Sequence, residues 1–184
     1  MAVETQNRLE SRYGGITLQG RPHALSAFFV VLLRFVMGGM MLFAGIGKYT
    51  GDGFNAGGYL ANIDSASPVS GLYGAMAANA ALVDVINVII PATQVLIGIG
   101  LIVGGLVRLA ALGGALQMIA FYLGGWGGEW LALFDSTLIY AVVFLTLGAL
   151  AAGRILGADG YIEQMNVGGE PLIERFPKLR YLLG

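Results

Sequence analysis

The sequence predicts an all-α fold: an integral membrane four-helix bundle, with interfacial helices in the first outer connection and an amphipathic C-terminal tail. Three observations predict it. Hydrophobic residues make up 57% of the 184-residue chain and charged residues only 11%. Mean hydropathy is +0.76, well outside the soluble globular range. Four apolar segments approach the length that crosses a bilayer, about 20 residues. Glycine, at 30 residues, falls inside those apolar runs, where small side chains let membrane helices approach closely.

Residues 1–24 read as an N-terminal tail, 25–153 as the membrane domain and 154–184 as a C-terminal tail. The spans are expected near 25–47, 82–107, 109–126 and 130–153. Arg34 lies in the middle of the first. Burying its charge there costs about 2.5–3.5 kcal/mol on insertion scales, so such a residue normally faces a protein interior. The run is too long for a cleaved leader, and no small-x-small site follows it. The outer connection, 48–81, opens with glycines, and Ser67-Pro68 reads as a helix cap and first helical position. Gly124–Gly128 (GGWGG) reads as a tight outer turn. In the tail, Leu172, Ile173, Phe176, Leu179 and Leu183 share one rough face, and Pro177 bends a surface-lying segment.

The positive-inside rule orients the chain. Arg8, Arg12, Arg21, Arg108, Arg154, Arg175, Lys178 and Arg180 fall on the side of the termini, and Lys48 alone on the other. The expectation is a multi-pass cell-membrane protein with both termini cytoplasmic. Asp52, Asp64, Asp84 and Glu129 then lie outside, with Trp126 and Trp130 as an interfacial belt.

Helical spacing sorts the polar and small residues into stripes. They are Arg34, Gly38, Met41, Gly45 and Lys48 on the first span, and Asp84, Asn87, Pro91, Gln94, Gly98 and Gly105 on the second. The third carries Ala110, Gly113, Gln117 and Gly124; the fourth carries Asp135, Val142, Thr146, Ala149 and Gly153. Lipid penalises the polar groups, so the stripes should face one another. At about 1.5 Å rise per residue, Arg34 and Gln117 come out at one level, about 12–14 Å from the cytoplasmic side, with Gln94 about a turn above. Lys48, Asp84, Glu129 and Asp135 share an outer layer, near the carbonyl of Asn87 that Pro91 frees. Blander readings stand beside these. Arg34 snorkels to headgroups, Lys48 and Asp84 form a rim ion pair of little worth, and Gln94 and Gln117 are interhelical glue.

With no cysteine in the chain, disulfides, thiolate-held iron–sulfur clusters and CxxC relays are excluded. The single histidine, His23, has no second histidine to complete a bis-imidazole haem site, and no metal site is evident. A net charge of −1 argues against a nucleic-acid partner.

Two segments then carry a resemblance. Leu33-Arg34-Phe35, Gly38-Gly39 and Leu42-Phe43-Ala44-Gly45-Ile46-Gly47-Lys48 resemble the first-helix signature of the DoxX/DoxD membrane proteins. Ala152-Gly153-Arg154-Ile155-Leu156-Gly157-Ala158-Asp159 resembles that family's closing motif. Arg34, Gly45, Lys48, Gly153, Arg154 and Asp159 match the motif residues. The resemblance spans most of 25–162, and it implies a membrane subunit linked to electron transport, such as one of a thiosulfate:quinone oxidoreductase.

Three functions follow as expectations. In a quinone-linked subunit, Arg34, Gln94, Gln117 and Tyr140 would form a quinone pocket. Arg34, Asp135 and Asp84 would then be the catalytic candidates, the two carboxylates exchanging protons. A non-catalytic anchor or assembly factor would instead dock other subunits or a second copy. A small-solute carrier or channel would use the Lys48–Asp84–Asp135 layer. Membrane lipid is a partner in every case.

Overall fold

The computed structural model describes residues 9–13, 16–20, 25–51, 53–129, 134–167 and 170–183. Arg8, Arg21, His23, Asp52 and the start of the fourth expected span, with Trp130, lie outside the described residues. The elements are β1 (Leu9–Tyr13), β2 (Ile16–Gly20), α1 (Ser26–Thr50), α2 (Ala56–Ala61), α3 (Ser70–Ala77), α4 (Ala80–Val103), α5 (Val107–Gly124) and α6 (Ser136–Ala149). They continue through a 3-10 turn (Ala152–Arg154), α7 (Ala158–Gln164), β3 (Asn166–Val167), β4 (Glu170–Pro171), α8 (Leu172–Arg175) and a second 3-10 turn (Pro177–Tyr181). The region from α1 to α7 is helical. The two strand pairs lie outside it and are antiparallel, with Leu9 opposite Gly20 and Asn166 opposite Pro171.

Among the described residues three helices, α1, α4 and α5, are long and apolar enough to cross a membrane. α6 has 14 residues. At 1.5 Å each it measures about 21 Å, short of a hydrocarbon core of about 30 Å. Asn79 starts α4 by accepting a hydrogen bond from the Leu82 amide at 3.2 Å. The second expected span ran on to residue 107, but α4 stops at Val103. Gly104 turns left-handed there (φ 73°), and Leu106 follows with φ 53°. That turn separates α4 from α5.

α1 packs chiefly on α4 and α5 chiefly on α6, and α4 against α5 joins the two pairs. The first contact is set by missing side chains. A Cβ on Gly98 would lie 2.6 Å from the Leu42 amide nitrogen, and one on Gly45 would lie 2.8 Å from the Pro91 carbonyl oxygen. No side chain fits, so the two backbones touch directly. Gly114 receives the Phe144 ring, and Gly148 lies against Ala111. Met37, Met41, Leu101, Val107, Phe144 and Leu147 fill the core between the pairs.

The stripes of the first three spans point inward largely as expected, but that of the fourth does not. α6 buries Ala141, Phe144 and Leu147, whereas Val142, Thr146 and Ala149 face outward. Thr146 tolerates this because its hydroxyl donates to the Val142 carbonyl at 2.8 Å. Ser67-Pro68 does not open a helix either, since α3 begins at Ser70. Its hydroxyl is taken by another helix, described below.

Candidate functional site

Arg34 is fully buried. Helical side chains lean toward the N-terminus of their helix. The guanidinium therefore drops toward the start of α1, where the chain returns after α6. There Nη1 donates to the carbonyls of Ala152 at 2.5 Å and Ile155 at 2.9 Å, and Nη2 donates to that of Leu156 at 2.9 Å. The loop that presents these carbonyls is strained, with Ala151 and Leu156 both at φ 49°. The opposing charge is Asp159.

Asp159, on α7, is also fully buried. Its carboxylate accepts from the amides of Leu106 at 2.7 Å and Val107 at 2.9 Å, and its own amide donates to Gly104 at 2.8 Å. α5 has no local side-chain cap, so a carboxylate 53 residues away in sequence supplies one. Gly104 completes the junction. A Cβ there would lie 2.9 Å from Arg34 Nη1. The two motif segments thus close on each other through Arg34 and on the start of α5 through Asp159.

The remaining motif residues have lesser parts. Gly45 makes the α1–α4 contact, and Gly153 is buried beside the junction. Arg154 pairs with Glu163 at 2.7 Å, but its side chain is 42% exposed, and such surface pairs contribute little. Lys48 donates to the Ala44 carbonyl at 3.3 Å and lies over the Phe54 ring.

The four residues expected to form one pocket are not brought together. Gln94 precedes Gly104 by ten residues, and Gln117 follows Val107 by ten. Each is about 15 Å of helix from the Arg34 guanidinium. Tyr140 sits toward the far end of α6 and is 37% exposed. The shared level expected for Arg34 and Gln117 holds for their backbones at most, because the arginine reaches away from the glutamine. The expected outer layer does not assemble either. Asp84 and Glu129 are exposed, and no ion pair links Lys48 to a carboxylate among the described residues. Asp135 is an exposed N-cap of α6, accepting from the Thr137 amide at 2.7 Å and from the Thr137 hydroxyl. Those bonds hold its carboxyl below the usual range.

A second set of buried polar side chains lies on α4 and α5. Gln94 is 2% exposed and Gln117 is 8% exposed. Gln117 Nε2 donates to the Thr93 hydroxyl at 2.9 Å, and that hydroxyl donates to the Ile89 carbonyl at 2.7 Å. The chain of donors fixes which way the Gln117 amide faces. Oε1 of Gln117 and Oε1 of Gln94 are both buried with no hydrogen-bond partner among the described residues. Each is an acceptor in an apolar environment, and an unmet one costs about 1–3 kcal/mol.

Toward the outer connection the same helices border an apolar cleft of about 150 Å³. Ile86 and Ile90 of α4, Ala120 and Phe121 of α5, and Tyr59 and Tyr73 line it. Ile90 and Gln94, like Gln117 and Phe121, are i, i+4 neighbours on their helices. The amides thus lie one turn below the cleft walls.

The outer connection closes over that cleft by capping α5 at its C-terminus. Tyr73 donates to the Ala120 carbonyl at 3.0 Å, Tyr59 to that of Phe121 at 3.4 Å, and Ser67 to that of Leu123 at 2.6 Å. These carbonyls lie at the end of α5, where the Phe121 carbonyl also accepts from the Gly125 amide at 2.9 Å and the Leu123 carbonyl from the Trp126 amide at 3.4 Å. Burial raises the phenols of Tyr59 and Tyr73 above the usual tyrosine range, so both remain donors. Asn87 ties α2 to α4 by accepting from the Ala56 amide at 2.7 Å. Sequence reasoning missed Thr93, Tyr59, Tyr73 and the capping role of Asp159. Their partners are distant in sequence, and no local spacing marks them.

Comparison of the chain with family models, with curated proteins and with solved structures finds no match.

Proposed function

We propose that this chain is a four-helix membrane subunit linked to electron transport, of the DoxX/DoxD kind, and that its α4–α5 cleft takes a quinol. In this reading α6 is the fourth membrane helix, and α2 and α3 lie at the outer interface. The C-terminal segment lies on the opposite surface, and both termini are cytoplasmic. The observation that carries the reading is the pair of buried, donorless amide oxygens of Gln94 and Gln117 beneath an apolar cleft. A hydroquinone matches that pattern, with an apolar ring flanked by two hydroxyl donors. A cavity of about 150 Å³ accommodates one benzene-sized ring.

When bound, a quinone/quinol couple supplies two-electron, two-proton exchange with a partner subunit or an outer reductant such as thiosulfate. The chain's own residues do the holding. Ile86, Ile90 and Phe121 exclude water, Thr93 orients the Gln117 amide, and the two Oε1 atoms accept from the ligand hydroxyls. Arg34 and Asp159 take no part, since both are engaged by backbone at the far end.

Titration calorimetry of the detergent-purified protein with decylubiquinol tests this reading. Binding is expected, weakened about tenfold or more by Gln94→Leu, the loss of one buried hydrogen bond. The same change should leave the ligand-free protein as stable or more stable, because it removes an unmet acceptor. Absence of decylubiquinol binding to the folded protein would reject the reading.

A non-catalytic anchor is the second reading. It is favoured by the full engagement of Arg34 and Asp159 in backbone hydrogen bonds. Gentle detergent extraction should then recover a stoichiometric partner, and an isolated monomer would argue against it.

A further inference from the structure

At the end of α5 away from the outer connection, the C-terminal tail leaves an open cleft of about 450 Å³. It is lined by Arg108, Pro177, Lys178 and Tyr181. Arg108 is the second residue of α5, one of the three helices of spanning length. Its guanidinium therefore sits where an apolar helix meets water. Lys178 and Tyr181 come from the second 3-10 turn, which is pinned to α5. The Leu109 amide donates to the Leu182 carbonyl at 3.3 Å, and Leu183 is buried. Lys178 is thus held on a docked tail beside Arg108 of α5.

The flank of α5 next to this cleft is apolar and uncovered. Leu109, Leu112 and Leu116 are all exposed. At i, i+3 and i+7 they form one stripe running up the helix from the cleft. Pocket and stripe together have the two-part character of a phospholipid, with cations at the level of the headgroup and aliphatic side chains at the level of the chain.

We infer that this is a binding site for an anionic phospholipid. Its phosphate lies between Arg108 and Lys178, the Tyr181 ring covers the glycerol region, and an acyl chain follows Leu109, Leu112 and Leu116. Basic pockets at the ends of membrane helices recognise such headgroups by charge, and tyrosine suits the boundary because its ring is apolar and its hydroxyl polar. The site is independent of the quinol reading and shares no residue with it.

The test uses the full chain in nanodiscs of mixed phosphatidylcholine and phosphatidylglycerol, released into the gas phase for native mass spectrometry. Phosphatidylglycerol adducts are expected to exceed phosphatidylcholine adducts. Lys178→Gln and Arg108→Gln should each lower that preference about fivefold. Lys178 is exposed, so its variant tests the site without burdening the fold. Arg175→Gln, outside the cleft, should leave the preference unchanged. Leu112→Asn should lower retention of both lipids. Equal retention of the two lipids by the unaltered protein would overturn the inference. So would an undiminished preference in the Arg108→Gln/Lys178→Gln double variant, or complete displacement of the lipid by millimolar inorganic phosphate.

Discussion

Arg34 and Asp159 hold the same junction from opposite sides. The arginine donates to the carbonyls of Ala152, Ile155 and Leu156, and the aspartate accepts from the amides of Leu106 and Val107. One side chain satisfies acceptors that follow α6, and the other satisfies donors that open α5.

Arg34→Met removes the bonds to the carbonyls of Ala152, Ile155 and Leu156 and leaves Asp159 without its countercharge. Removing one partner of a buried charged pair costs about 3–5 kcal/mol. A marked fall in unfolding temperature in detergent is expected. Arg34→Lys should recover little of it, since an ammonium cannot present the forked donors that reach three carbonyls. Asp159→Ala should also destabilise. The double variant should lose less than the sum of the two single losses, which a thermodynamic cycle measures directly.

Gly98→Ala and Gly39→Ala should differ sharply, although both lie in membrane-length helices. The new Cβ at 98 would sit 2.6 Å from the Leu42 nitrogen, whereas a Cβ at 39 meets nothing within 4 Å. Overpacking of that kind costs about 1–3 kcal/mol, and an unopposed Gly→Ala change in a helix gains about 0.5–1 kcal/mol. Thermal unfolding of the two purified variants should move in opposite directions. A shift of the same sign would refute the backbone contact.

Tyr73→Phe and Ser67→Ala each remove a side-chain hydrogen bond to a carbonyl at the end of α5. Each lost bond is worth about 0.5–1.5 kcal/mol. Amide exchange should quicken in α3 and in the last turn of α5 while the start of α5, held by Asp159, keeps its protection. Uniform acceleration along α5 would show that the outer connection is not a local cap.

The Asp135 cap gives a dependence on pH with a defined sign. Its carboxyl is lowered in the folded state by its bonds to Thr137. The stabilisation is therefore complete above the ordinary carboxylate range and is lost as pH falls through the folded value. The group is exposed, so the effect is small. Asp135→Asn retains an N-capping side chain and should remove this part of the acid sensitivity. Melting curves recorded from neutral to acidic pH provide the comparison.

The sequence discloses much of the helical framework, and the reasons differ from element to element. Gly38, Gly45 and Gly98 stand at helical spacing inside apolar runs, and that pattern has one economical use, close contact between helices. The inward turn of Arg34 was legible from the cost of a charge in lipid. Its partners were not. The depth of a Cα says where a long side chain begins, and the tilt toward the helix N-terminus decides where it ends. Asp159 could be marked by resemblance, but nothing near it in sequence announces that it caps a helix 53 residues upstream. The face of α6 was misassigned because Thr146 counted as polar, although it satisfies itself against Val142. Gln94 and Gln117 were identified as buried, while Thr93, which fixes the direction of one of them, is an ordinary residue by any local measure.

Because the carboxylate that finishes the start of α5 resides on α7, a growing polypeptide that has already made α1, α4, α5 and α6 is still incomplete. Until residue 159 emerges from the ribosome, two amides remain open, and so does the loop that Arg34 will engage. A chain truncated shortly after α6 would thus contain all three helices long enough to cross a membrane and still lack the carboxylate that closes the start of α5.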